Sequence, residues 1–281
     1  MRTGCAPLIG FGLSPIKLVS TEVLMNWRLN CACAVFALAA VPCFAAGPSW
    51  DGTWKLNIAK SKFTGDTFTV EAKGNMMHAS DGVVSYDFAC DGKAYAVIAD
   101  RTLTCTGSPA AGYDFMSKAG DKVLSKSHRT FSADGKTMTI HGTEMRPDGT
   151  KPEYTDVYKR QSGTSGMVGK WMNVKSQAAA ASMVIQTKGN WIKIYSPEFK
   201  NSVDGKMDGS ALPVTGPNIP PGVTQTIKMD GPNKLHYTVQ YNGKVLEEGT
   251  QTLSADGKTL VDENWVPGKM NEKTTVVYDR Q

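Results

Sequence analysis

Ser132-Ala-Asp-Gly-Lys-Thr137 returns letter for letter as Ser254-Ala-Asp-Gly-Lys-Thr259, 122 positions further on. In both places an Asp-Gly pair stands between two runs that carry alternating apolar residues. Such a pair tolerates the positive φ of a tight hairpin, so the stretch predicts one hairpin twice.

Working outward, the matches continue in order. Gly52-Thr-Trp54 recurs as Gly169-Lys-Trp171, Lys73-Gly-Asn75 as Lys188-Gly-Asn190, Asp91-Gly-Lys93 as Asp204-Gly-Lys206, and Lys122-Val123 as Lys244-Val245. Each copy closes alike, on Tyr158-Lys-Arg-Gln161 and Tyr278-Asp-Arg-Gln281. Ordered matches over this span read as a duplicated domain, each copy long enough for its own core. The expected partition is 46–160 for the first barrel, 161–167 (QSGTSGM) for a linker and 168–281 for the second. The offset between copies grows from 113 to 122 across Leu212 to Val223, where Pro213, Pro217, Pro220 and Pro221 cluster. This places an insertion there, in a segment expected to avoid a central strand.

Segments of five to eight residues rich in Val, Ile, Thr, Tyr and Trp alternate with Gly, Asn and Asp, and no stretch after the leader keeps a helical period for three turns. The fold class is all-β. Gly120-Asp121 and Asn242-Gly243 add further hairpin turns, and the count reaches eight or nine strands per copy. A meander of that length leaves two unpaired edges unless it closes, so two tandem antiparallel up-and-down barrels are expected.

Gly-X-Trp on the first strand with an Arg on the last resembles the lipocalin and wider calycin signature, in which the Arg packs over the Trp at the closed end of the barrel. The opening GTWKLNIAKSKF, the SADGKT turn and the terminal Tyr-X-Arg are similar to bacterial lipocalin-like proteins of unknown function, over nearly all of 52–281. The resemblance implies that Trp54 is covered by Arg160 and Trp171 by Arg280, four structural residues. The helix that many lipocalins place before the final strand has no counterpart, because Gly142 to Pro152 reads as loop.

Cys31 to Ala46 (CACAVFALAAVPCFAA), preceded by Arg28, has the layout of a secretory signal peptide, expected over 25–45 with cleavage after Ala45. Residues 1–24 read as an upstream extension, with Met25 as the true start. No apolar run reaches the roughly 20 residues of a membrane span. Loss of 1–45 leaves 28 basic against 25 acidic residues, a balance too even to argue for nucleic acid. It also leaves only Cys90 and Cys105, which in the periplasm or medium read as one disulfide.

The search for chemistry finds no catalytic set and implies no cofactor. There is no Gly-X-Ser-X-Gly elbow and no zinc spacing among His78, His128, His141 and His236. A two-residue Asp134-Gly135 turn sets His128 opposite His141, the one weak candidate for a metal or a metal-dependent enzyme. Glu247-Glu248 and Asp262-Glu263 are adjacent in strands, so each pair points to opposite faces. Binding has more behind it. Trp191 and Tyr195 share one strand face, as do Tyr237 and Tyr241, and copy one offers Met76, His78 and Tyr86. The expected function is a non-enzymatic exported barrel that binds a small apolar or amphipathic molecule in one copy or both. The alternative is an envelope module that contacts protein or polysaccharide through its outer surface.

Overall fold

A computed structural model describes residues 48–63, 65–177 and 182–281. The upstream extension, the signal peptide and its cleavage point lie outside the described residues. Twenty strands and one short 3-10 turn, Met270–Glu272, are formed by the rest. Among the described residues no helix is long and apolar enough to cross a membrane.

The strands divide into two antiparallel sheets of ten, one or two strands more per sheet than the alternation predicts. Sheet one holds β2 (Thr67–Lys73), β3 (Met76–Ser80), β4 (Ser85–Phe88), β5 (Ala94–Ile98) and β6 (Arg101–Ser108). It continues through β7 (Gly112–Ala119), β8 (Lys122–Phe131), β9 (Thr137–Glu144), β10 (Glu153–Ser162) and β11 (Gly169–Gln177). Sheet two is a closed barrel of β1 (Gly52–Leu56), β12 (Ser182–Lys188), β13 (Trp191–Ser196), β14 (Asn201–Lys206) and β15 (Asp208–Thr215). The circuit is completed by β16 (Val223–Met229), β17 (Lys234–Tyr241), β18 (Lys244–Leu253), β19 (Thr259–Trp265) and β20 (Thr274–Arg280).

The first strand of each copy is exchanged. β1 pairs with β12 and β20, so Trp54 stands opposite Met183 and Arg280, whereas β11 pairs with β2 and β10, so Trp171 stands opposite Phe68 and Arg160. Sheet one is thus one continuous run of chain set between β1 and β12 of the other barrel. The Trp54–Arg160 and Trp171–Arg280 pairing implied by the family resemblance is therefore corrected. Arg160 lies 4.1 Å over the Trp171 ring and Arg280 4.4 Å over that of Trp54. The physical reason is the short connection after β10: Gly163 and Gly166, both at positive φ, fold the chain straight back, and β11 takes the neighbouring place in the same sheet. The segment 161–167, expected as a linker, is this hairpin.

The repeated hexapeptide explains itself at the same place. Gly135 at φ 65° and Gly257 at φ 66° close the two turns, with Ser132 and Ser254 each accepting from the glycine N–H at 2.8 Å. Each freed glycine carbonyl then accepts from an arginine: Arg160 Nε to Gly135 at 2.7 Å and Arg280 Nε to Gly257 at 2.6 Å. Turn, arginine and fully buried indole form one plug per barrel, and a guanidinium on an indole face is worth about 0.5 to 2 kcal/mol depending on desolvation.

Sheet one does not close by hydrogen bonding, since β4 and β5 remain as its edges. The Cys90–Cys105 disulfide, with Cα atoms 4.3 Å apart, ties the residue after the first edge onto β6, and Gly92 N–H donates to the Cys105 carbonyl beside it. A covalent bond thus spans the seam that backbone pairing leaves. In sheet two the proline-rich segment departs from expectation, because Leu212 and Pro213 belong to β15 and pair with Gln225 and Thr224. The proline is tolerated where the ladder on the other side of β15 is reduced to Ser202–Thr215 and Val203–Val214. The two barrels meet through the turn after β13, which buries Phe199 in the core of sheet one with the Arg146 guanidinium 5.0 Å over its ring.

Candidate ligand site in the closed barrel

Alternation decides what faces the interior of sheet two. On β17 the buried residues are Leu235, Tyr237 and Val239, on β18 Glu247, Gly249, Gln251 and Leu253, and on β19 Leu260, Asp262 and Asn264. Polar groups therefore line one band of an otherwise apolar wall.

Register brings the band together. Tyr237, Gly249 and Asn264 form one row across three strands, and Gln251 stands directly opposite Asp262. Gly249 is required here: a Cβ at that position would lie 2.3 Å from the Tyr237 ring, so its absence lets the phenol lean across β18. The Tyr237 hydroxyl donates to Asp262 Oδ1 at 2.9 Å and lies 3.3 Å from Glu247 Oε1. Gln251 Nε2 donates to Asp262 Oδ2 at 2.8 Å, and Asn264, itself holding Thr274 at 2.5 Å, lies 3.4 Å from Asp262.

The electrostatics follow from burial. Exclusion from water raises the Asp262 carboxyl above its usual range, and the bonds from Gln251, Tyr237 and Asn264, all neutral, partly oppose this. Tyr237 and Tyr278 are pushed well above an ordinary phenol by burial and by the nearby charges of Asp262 and Glu247. The band can accept hydrogen bonds and offset positive charge. The Oε1 atom of Gln251 is buried and accepts no hydrogen bond among the described residues.

The same rungs of sheet one look different. At the positions 122 earlier than Glu247 and Gln251 stand Ser125 and Arg129, both buried. The Arg129 guanidinium lies 3.8 Å over the Phe115 ring, with Tyr86, Tyr154, Tyr158 and Asp156 in electrostatic reach.

The residues singled out from the sequence are dispersed. Tyr237 is fully buried and Tyr241 packs partly buried against the same core. Trp191 is 46 % exposed, its indole N–H donating to Asp204 at 2.6 Å, so the Trp191 and Tyr195 face of β13 turns outward while Ile192 turns in. The apolar alternative on that strand wins because Lys193 lies on the aromatic face. In sheet one Tyr86 joins the core, whereas Met76 and His78 lie on the face opposite Ala79, with His78 bonded to Asp87 at 2.6 Å. His128 does stand opposite His141, but on the outer face, and each imidazole has its own partner: Asp114 at 2.7 Å and Thr155 at 3.0 Å. Among the described residues no group of three or more His, Cys, Asp or Glu is placed to hold a metal.

No family model, curated protein or solved structure matches the chain. The all-β antiparallel barrels are compatible with a calycin-like fold.

The Glu247, Asp262 and Gln251 grouping escapes a reading that considers only acids adjacent in sequence. The signal that finds it is register: the turn at Asp256-Gly257 fixes Gln251 opposite Asp262 just as Asp134-Gly135 fixes His128 opposite His141.

Proposed function

We propose that this is an exported, lipocalin-like binding protein that holds a small apolar or amphipathic molecule inside the closed barrel and carries out no reaction on it. The observation that supports this most is the make-up of the sheet two interior, where tyrosine rings and aliphatic side chains surround one confined polar band. A barrel of about this size holds either packed side chains or one small guest. Export is supported by the leader layout of 25–45 and by a disulfide suited to an oxidising compartment. The lipocalin relation is supported by the Gly-X-Trp strand and the arginine plug, reached here through exchanged strands.

Native mass spectrometry of protein purified from its own envelope fraction tests the reading. A co-purifying molecule of discrete mass, released on unfolding, is the expected result. A bare protein mass together with no response to any amphipathic probe would defeat it.

A further inference from the structure

We infer that the guest of the closed barrel is a small protonated amine, its ammonium held by Asp262, Glu247 and the Gln251 carbonyl. This rests on the reading of that barrel as a container and adds the chemical class of what it contains.

Three observations carry it. First, the polar band of sheet two is rich in acceptors: two buried carboxyls, Glu247 and Asp262, meet through one phenol, and the groups that hold Asp262 are a phenol and two amides. Second, Gln251 is 6 % exposed and gives its N–H to Asp262, while its carbonyl oxygen beside that bond is buried and unused. A buried acceptor without a donor is costly, and the missing group is a donor. Third, the two copies differ in where they keep positive charge. Among the described residues the buried basic side chains are Arg101 and Arg129, both in sheet one, and no lysine or arginine of 182–281 is buried. At the rung where sheet one has its own guanidinium, sheet two has Gln251 beside an acid.

An ammonium supplies what the band lacks: one positive charge and up to three N–H donors. A carboxylate guest would add charge of the wrong sign, and an alcohol would bring one donor and no charge. The rings and aliphatic groups around the band then suit an alkyl or aryl body on the amine.

The test uses the whole mature chain and three probes of equal length, octylammonium, octanoate and octanol, titrated by calorimetry at neutral pH. Octylammonium binding at least tenfold more tightly than the other two supports the inference. Octanoate or octanol binding as tightly as octylammonium overturns the amine and leaves the container reading in place. No binding by any of the three overturns both. Asp262→Asn and Glu247→Gln, which keep shape and remove charge, localise the site in variants that retain the native circular dichroism. Each is expected to weaken octylammonium at least tenfold and to leave octanol unchanged, and unaltered octylammonium affinity in both would overturn the assignment of these residues.

Discussion

Sheet one and sheet two come from one design and solve its two problems differently. Sheet two closes by hydrogen bonds, β1 lying between β12 and β20, whereas sheet one leaves a seam between β4 and β5 that a disulfide spans. Inside, sheet one buries an arginine against aromatic rings and sheet two buries acids held by a phenol and amides. Yet the plug of turn, arginine and tryptophan is the same in both. The difference teaches that the barrel end is what the duplication holds constant, while the interior is free to change charge.

The strongest way to break the comparison is at the plugs. Trp54→Ala and Trp171→Ala each remove a fully buried indole and are expected to cost about 3 to 5 kcal/mol. The exchange dictates where: Trp54→Ala loosens the strands of 182–281 and Trp171→Ala those of 67–177, as hydrogen exchange resolved by segment reports. Loosening of β2 to β10 by Trp54→Ala would refute the observed pairing.

The interiors come next. Arg129→Ala strips a packed guanidinium from the neighbourhood of Asp156 and is expected to cost about 3 kcal/mol in urea unfolding. At the equivalent rung Gln251→Ala removes one hydrogen bond from Asp262 and should cost about 1 to 2 kcal/mol. Equal costs would mean that the two interiors are not electrically distinct.

The seam is comparable in size to the arginine. Replacing Cys90 and Cys105 by alanine releases a loop of 15 residues and should cost about 3 kcal/mol by the chain-entropy estimate. Faster exchange in β4 to β6, with sheet two unaffected, is the expected readout.

The smallest effect lies where the barrels meet. Burial pushes the Glu198 carboxyl up to about 7 from an ordinary 4.5, against the opposing bond from Ser182 and the charge of Arg146. The folded chain therefore keeps a proton that the unfolded chain has already released between those values. Stability from this group is present below that window and falls as pH rises through it. Glu198→Gln should flatten the decline of Tm between about pH 4.5 and 7 relative to the parent protein, and an unchanged slope would remove Glu198 as its source.

Much of the fold was legible from local chemistry. Asp-Gly turns and alternation fix strands and register because both depend on neighbouring residues, and the opposition of His128 and His141 follows from one turn. The strand exchange was not legible. Trp54 and Trp171 have nearly identical local sequences, so either can complete either barrel, and the choice rests on loop lengths that place β11 next to β10. The site was half legible: Tyr237 is readable as an interior ring, but its union with Glu247 and Asp262 needs Gly249 to clear its path. Trp191 and Tyr195 face outward because a sheet has two sides and period alone does not say which is wet.

The pairing of β1 with β20 also sets a timetable. A ribosome delivers Gly52 early and Arg280 almost last, so the opening strand waits through the synthesis of an entire neighbour before its partners exist. The neighbour, whose strands arrive one after another, can mature while the polypeptide is still being made. Vectorial emergence thus favours the disulfide-stapled half as the earlier folder, and trimming a few residues from either extremity should unzip only the other.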